Sequence, residues 1–370
     1  LFLNKFYDTI IIEKVFYKQG VFVKNTIEDV AKLAGVSITT VSRVINKNYP
    51  VKAVTRAKVE EAVRELSFVP NSMARGLIKK KTFTIGVVVP SMTNLFFPEV
   101  VRGIEKILRP MGYILFLAET MEEDEKETQI INMMKERLVD GIIIIGASYR
   151  NIKNGFFEEI NKEMPLVIIN SYNKGIRCNY ILTDEETGSQ EALEYLYGLG
   201  HRNIGFVGGR NSYSYDMKEE TYKRFLIKHK LELNKDNILK IKTGNNPESV
   251  EAAMNIAIDR FRKNNPPTAL FCCNDWIAAG VTKGMDKLGL SVPSDISITG
   301  FDNILISQIN TPKLTTVNQK MDNIGINSAR LLMDIINTDK NKREIKKILL
   351  ETSLVIRQSC TNIKTGEIKK

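Results

Sequence analysis

TIEDVAKLAGVSITTVSRVIN, running from Thr26 to Asn46, reads as two short helices joined by a tight turn. Thr26 can cap the first helix, and Asp29, three residues on, completes a box-like arrangement that suits the positive end of the helix. Ala31 is small where two helices must cross closely, and Gly35 sits where the turn calls for a positive φ. Ser37 caps the second helix, and Val36, Val41 and Ile45 anchor it to the first. That leaves Ile38, Thr39, Ser42 and Arg43 facing outward. A helix presented in this way can lie in a major groove with its first residues against base edges. Arg43 can donate twice to a guanine, a contact worth ~1–3 kcal/mol of discrimination. The plainer alternative is a solvated surface helix with no partner.

Working outward, charge separates this segment from the rest. The chain has 370 residues and a net charge of +10. Asn25 to Lys81 holds 11 Lys and Arg against 5 Asp and Glu, whereas Thr82 to Thr361 holds 35 of each sign. Leu1 to Lys24 and Asn362 to Lys370 supply the remaining excess. A neutral body carrying a basic module is what a polyanion binder needs, because Lys and Arg on phosphates release condensed counterions. The length suggests two or three domains at ~100–200 residues each. Cys178, Cys272, Cys273 and Cys360 lack CxxC spacing and read as free thiols in a reducing cytosol. With two histidines, His201 and His229, and no ligand spacing, neither a metal nor another cofactor is expected. No apolar run reaches the ~18 residues of a membrane span. The first two dozen residues lack the features of a signal peptide, so a cytoplasmic location is expected.

From Phe83 onward, apolar runs alternate with amphipathic stretches. The runs are IGVVVP (Ile85 to Pro90), ILFLAE (Ile114 to Glu119), GIIIIGA (Gly141 to Ala147), LVIINS (Leu166 to Ser171), NIGFVGG (Asn203 to Gly209), TALFCCND (Thr268 to Asp275) and SITGFD (Ser297 to Asp302). Stretches of helical length lie between them, among them Glu99 to Met111, Glu125 to Leu138 and Gly188 to Leu199. Nearly all-apolar strands alternating with helices indicate an α/β fold with parallel sheets covered on both faces. There are too many units for one sheet, so two similar lobes are expected. Ligands of open α/β folds bind beyond the carboxyl ends of the strands, which places the expected site in a cleft between the lobes.

The stretches GVSITTVSRVIN, VPNSMARGL (Val69 to Leu77) and IGVVVPSMTNLFFPEVVRGIE (Ile85 to Glu105) closely resemble the lactose/galactose-repressor (LacI/GalR) family in order and spacing. So do VDGIIII (Val139 to Ile145), LGHRNIGFVGG (Leu199 to Gly209), NDWIAAG (Asn274 to Gly280), VPSDISITGFDN (Val292 to Asn303) and LTTVNQ (Leu314 to Gln319). The resemblance spans Asn25 to about Ser359. It implies a helix-turn-helix headpiece (25–69), a hinge helix and linker (70–82), and a two-lobed periplasmic-binding-protein-like body of parallel sheets flanked by helices (83–361). An N-terminal extension (1–24) without family counterpart and a polar tail (362–370) complete the chain. The implied function is a transcriptional repressor that binds a pseudo-palindromic double-stranded operator as a homodimer, under the control of a small-molecule effector. The tail shows no heptad pattern, which favours a dimer over a tetramer.

By the same match, the residues expected on DNA are Thr26, Ser37, Ile38, Thr39, Thr40, Ser42, Arg43 and Asn46, with Asn71, Ala74, Arg75 and Leu77 from the hinge. Leu77 would be an apolar wedge that opens a base step in the minor groove; its plainer role is packing on the body. The residues expected on the effector are Asn94, Phe96, Phe97, Asn170, Lys218, Asn274, Asp275 and Asp302. Each has an ordinary alternative, core packing for the phenylalanines and helix capping for Asp302. Many family members carry an arginine and a Gly-aromatic pair before the first helix of the second lobe. Here KEETYKRF puts Lys218 and Thr221 in those places, and a lysine lacks the bidentate fork. Asn245 stands where some members have an aromatic. A sugar or sugar phosphate is the expected effector. An uptake binding protein would need a signal sequence and no headpiece. An α/β enzyme would need a P-loop, GxSxG or metal signature, none of which is present, so the chain reads as a non-enzyme. A catabolite-control protein governed by a phosphorylated carrier protein stays open as a narrower alternative.

Overall fold

The computed structural model describes residues 25–46, 49–69, 81–171, 175–210, 212–242 and 246–363. The chain divides into two compact units, Leu1–Lys80 and Lys81–Lys370.

In the first unit, α1 (Ile27–Ala34) and α2 (Ile38–Asn46) are followed by α3 (Ala53–Glu65). Val30, Ala31, Ala34, Val41, Val44, Val59 and Ala62 form its core. Gly35 takes φ 64° at the end of α1, a conformation that costs a side-chain-bearing residue free energy, and the chain turns there into α2. Val41 and Val44 are the buried anchors of α2, whereas Val36 and Ile45 are half-buried. Val44 was not among the expected anchors. Asn25 ties the start of α1 to the end of α3 through a 2.6 Å bond from Nδ2 to the Leu66 carbonyl.

The second unit contains two sheets. β1 (Thr84–Val89), β2 (Ile114–Glu119), β3 (Gly141–Ile145), β4 (Leu166–Ile169), β5 (Asn179–Thr183) and β11 (Lys347–Leu350) form one, in the order β11-β5-β4-β3-β1-β2. β6 (Ile204–Gly208), β7 (Ile238–Lys240), β8 (Ala269–Cys272), β9 (Ser297–Asp302), β10 (Thr315–Asn318) and β12 (Ser353–Val355) form the other, in the order β12-β10-β9-β8-β6-β7. The two orders are the same arrangement repeated, so the lobes are built alike. Every pairing is parallel except β10 with β12, which runs antiparallel and departs from the all-parallel expectation. Helices α4 (Phe96–Leu108), α5 (Asp124–Glu136), α6 (Tyr149–Lys153), α7 (Phe156–Glu163) and α13 (Met321–Asn337) accompany the first sheet. The second has α8 (Glu185–Gly198), α9 (Tyr213–Lys228), α10 (Glu248–Phe261), α11 (Asp275–Lys287) and α12 (Leu305–Ile309).

The apolar runs follow from burial on both faces. In β3, Ile143 and Ile145 join the core on the α4 and α13 side, while Ile142 and Ile144 join the core on the α5 and α7 side. The chain crosses between lobes after β5, after β10 and between β11 and β12. Against the α4 and α13 side, two helices meet without side chains between them. A Cβ at Gly325 would lie 2.1 Å from the Val100 carbonyl oxygen, so only glycine permits that approach. No helix among the described residues is long and apolar enough to cross a membrane.

Candidate functional site

In the headpiece the local geometry sets the presentation of α2. Thr26 Oγ1 accepts the Asp29 N–H at 3.3 Å, and Asp29 Oδ2 accepts the Thr26 N–H and hydroxyl, each at 2.7 Å. The bonds from Thr26, backbone first and then side chain, hold the Asp29 carboxyl below its ordinary range. Ser37 Oγ accepts the Thr40 N–H at 3.2 Å and lies 2.9 Å from the Thr40 hydroxyl. Ile38, Thr39 and Arg43 are exposed along α2. Ser42 and Asn46 are half-buried and bonded to each other, Asn46 Nδ2 to Ser42 Oγ at 3.1 Å. The Arg43 guanidinium stands 5.2 Å from the centre of the Tyr49 ring, an exposed aromatic that was not among the expected DNA residues. The hinge candidates Asn71, Ala74, Arg75 and Leu77 lie outside the described residues, as does Asn245.

In the body a cavity of about 740 Å³ opens between the lobes. It lies within the ~300–1,000 Å³ typical of small-molecule pockets. Asn94, Phe96, Phe97, Asn170, Lys218, Asn274 and Asp302 all line it. Asn94 Oδ1 accepts the Phe96 N–H at 3.0 Å and so fixes the turn into α4. The Phe96 and Phe97 rings meet edge-on at 5.5 Å. Both belong to the lobe's buried core as well as to the cavity wall. Asn170, at φ 57°, accepts the Thr183 N–H at 3.0 Å, and its Oδ1 lies 3.2 Å from the Thr183 hydroxyl oxygen. Asn274 caps α11 by accepting the Ile277 N–H at 2.9 Å, and its amide donates to the Tyr215 hydroxyl at 3.2 Å.

Lys218 lies inside α9, so the KEETYKRF segment is helical and does not precede the helix. The residue is 2% exposed, and its ammonium donates to Ser214 Oγ at 2.9 Å and to the Cys273 carbonyl at 3.2 Å. It also stands 3.4 Å from Glu185 Oε1 and 3.8 Å from the Phe301 ring centre. Burial pulls its pKa down, but the Glu185 and Asp302 carboxylates outweigh that and hold it above the ordinary lysine value. Burial pushes the Asp302 carboxyl up to about 7, against Lys218 and the Gln319 bond, with Glu185 raising it further. Gln319 Nε2 donates to Asp302 Oδ1 at 2.6 Å, and Gln319 Oε1 accepts the Thr183 hydroxyl at 2.7 Å. A relay thus runs from Asn170 in one lobe to Asp302 in the other.

Asp275 is the exception. It does not line the cavity: it is wholly buried behind it, accepting the Ile304 N–H at 2.8 Å and the Thr316 hydroxyl at 2.6 Å. Burial raises its pKa, and Asp302 raises it further. Sequence reasoning missed Glu185, Tyr215 and Gln319 on the cavity wall. Gln319 ends the LTTVNQ stretch, where it stood available as a signal; Glu185 and Tyr215 carried none.

Residues 26–71 match bacterial regulatory proteins of the lacI family, and residues 193–360 match a periplasmic binding protein-like domain. Catabolite control protein A of Priestia megaterium is 36% identical over 317 residues, which cover 85% of this chain and 93% of that protein. The HTH-type transcriptional repressor PurR of Vibrio cholerae is 35% identical over 321 residues, 86% of this chain and 94% of the relative. The chain belongs to the lacI family. It is a DNA-binding transcriptional regulator. A solved structure of the lac repressor dimer bound to operator and the anti-inducer ONPF superposes with a TM-score of 0.81 at 26% identity, covering 91% of this chain and 99% of that one. The lacI-family match spans all three headpiece helices. The binding-protein match spans the second sheet from β6 to β12.

Proposed function

We propose that this regulator is a cytoplasmic homodimeric repressor whose α2 helices read a pseudo-palindromic operator and whose body senses a neutral sugar without transforming it. Ile38, Thr39 and Arg43 meet base edges, Thr26, Ser37 and Thr40 set the helix against the backbone, and Ser42 with Asn46 supports the reading face. Asn71, Ala74, Arg75 and Leu77 take the hinge role that the family resemblance implies. In the body, Asn94, Asn170, Asn274, Lys218 and Asp302 supply hydrogen bonds to hydroxyls, and Phe96 with Phe97 supplies an apolar wall for a sugar face.

One observation carries the choice of ligand. Among the described residues the cavity wall contains five basic ones, Arg150, Arg210, Lys218, Lys240 and Lys242, and five acidic ones, Glu122, Asp124, Glu185, Asp216 and Asp302. A wall balanced in charge and rich in amides and hydroxyls favours a neutral polyhydroxylated ligand over a phosphorylated one. The sugar acts by binding one lobe arrangement more tightly than the other, since only differential affinity shifts a population.

Genome-wide footprinting of the purified full-length protein tests the DNA half of this reading, and the expected result is protected sites with two-fold symmetric sequence. A thermal-shift panel of neutral sugars, their phosphates and purine bases tests the other half. A shift given by a neutral sugar supports it; shifts confined to sugar phosphates or purines overturn it.

A further inference from the structure

Asp302 and Asn303 carry φ angles of 102° and 60°, two successive left-handed residues that both bear side chains. Such a backbone persists only where its surroundings over-determine it, and it clusters at functional sites. Two side chains hold it from the side away from the cavity. Asp275 accepts the N–H of Ile304, the residue just beyond the turn, at 2.8 Å, and is itself anchored by the Thr316 hydroxyl at 2.6 Å. Arg357 donates through Nη2 to Asn303 Oδ1 at 2.6 Å and through Nη1 to the Leu314 carbonyl at 2.8 Å and Ser307 Oγ at 3.2 Å. Gly300 in β9 leaves the room this needs, because a Cβ there would lie 2.3 Å from Asp275 Oδ1. Past the turn, Ile304 is 2% exposed and belongs to the same buried cluster as Phe96 and Phe97 of the other lobe.

We propose that Asp275 and Arg357 are positioning residues, which lock the strained Asp302–Asn303 turn so that the Asp302 carboxyl points into the cavity while touching no ligand themselves. The inference rests on the reading of this cavity as the effector site. Removing either lock lets the turn relax toward ordinary backbone angles and lets the carboxyl leave its place against Gln319 and Lys218. Asn at position 275 can keep both bonds, its amide oxygen accepting the Ile304 N–H and its amide nitrogen donating to Thr316.

The test is a titration of the Asp302 carboxyl carbon by NMR in the full-length protein labelled with 13C-carboxyl aspartate, the signal being assigned with Asp302→Asn. In Asp275→Ala and Arg357→Met the midpoint moves from the native value by about one pH unit or more, because burial, Lys218 and the Gln319 bond all act on the carboxyl through its position. Asp275→Asn keeps the native midpoint. A folded Asp275→Ala and a folded Arg357→Met that both titrate like the native protein overturn the proposal. Should Asp275→Ala fail to fold, Arg357→Met, at a half-buried position, decides alone. D-ribose, D-galactose and cellobiose binding to the unaltered protein is followed separately by the fluorescence of Trp276, the single tryptophan. Absence of all three responses counts against the sugar reading and leaves the titration to judge the positioning.

Discussion

Lys218→Met asks what a buried charge does when its partner is removed. Lys218 is 2% exposed and Glu185 7%, so neither is relieved by solvent. Deleting the lysine leaves Glu185 with the 2.6 Å bond from the Ser214 hydroxyl and, among the described residues, no other ion pair. Breaking a buried pair from one side typically costs about 3–5 kcal/mol, because the surviving charge is left uncompensated. Asp302 suffers too, since Lys218 lowers its pKa and loses that effect when replaced. The double variant Lys218→Met/Glu185→Gln removes both charges, keeps a hydrogen-bonding group opposite Ser214, and recovers about 2–3 kcal/mol of the loss. Urea unfolding of the full-length protein at pH 7.5, followed by the fluorescence of Trp276 in the body, measures all four corners of the cycle. Losses that simply add, or a Lys218→Met variant within about 1 kcal/mol of the native protein, would refute the reasoning.

Three further outcomes follow from the geometry. Arg43→Ala should weaken binding to a footprinted site by about 5- to 150-fold, equivalent to ~1–3 kcal/mol, and Arg43→Lys should rescue little because it lacks the fork; anisotropy titrations that show equal loss on a scrambled duplex at the same salt would assign Arg43 to phosphate contact. Glu127 is 3% exposed, and burial raises its carboxyl to about 7 against the bonds from Asn151 and the Ser148 N–H, with Asp124 raising it further. Its folded value exceeds its unfolded one, so its contribution to stability is complete below about pH 4.5 and is lost as pH rises through about 7. At 1.36 kcal/mol per unit that slope amounts to about 3 kcal/mol, and Glu127→Gln should flatten it in urea midpoints taken from pH 4.5 to 8. Gly325→Ala drives a Cβ to 2.1 Å from the Val100 carbonyl oxygen and should cost about 1–3 kcal/mol or more, with an unchanged unfolding midpoint contradicting the tight crossing of α4 and α13.

The elements legible in the sequence are those whose pattern is local. GIIII and LVII are apolar at every position because both faces of the sheet are covered, and they became β3 and β4. The turn at Gly35 and the cap at Thr26 depend on residues within four positions of each other, so the headpiece could be read almost whole. β5 escaped notice because NYILT begins and ends on polar residues. They are buried by pairing: Asn179 donates to the Leu166 carbonyl, and Thr183 bonds Asn170 and Gln319. β7, β11 and β12 are short, and β11 and β12 alternate or half-expose their side chains at sheet edges, where no continuous apolar run is required.

The cavity was legible strand by strand and illegible as a network. Asn274 and Asp275 are neighbours at one strand end, and nothing local says that the first reaches Tyr215 while the second turns toward Thr316 and Ile304; those partners lie 29 to 59 residues away. The same distance problem bears on Lys218, whose replacement for an arginine signals a changed ligand only until its partners are known. Its charge is shared among Ser214, the Cys273 carbonyl, Glu185 and the Phe301 ring, from four different segments of the second lobe. On the proposed reading, an anionic ligand would compete with the Glu185 carboxylate for that ammonium, while a hydroxyl would exchange for a neutral partner such as Ser214. Because an unpaired buried carboxylate costs more than a shared hydrogen bond returns, the proposed reading of the cavity as a site for a neutral ligand expects its floor to disfavour anions even though a cation sits in it.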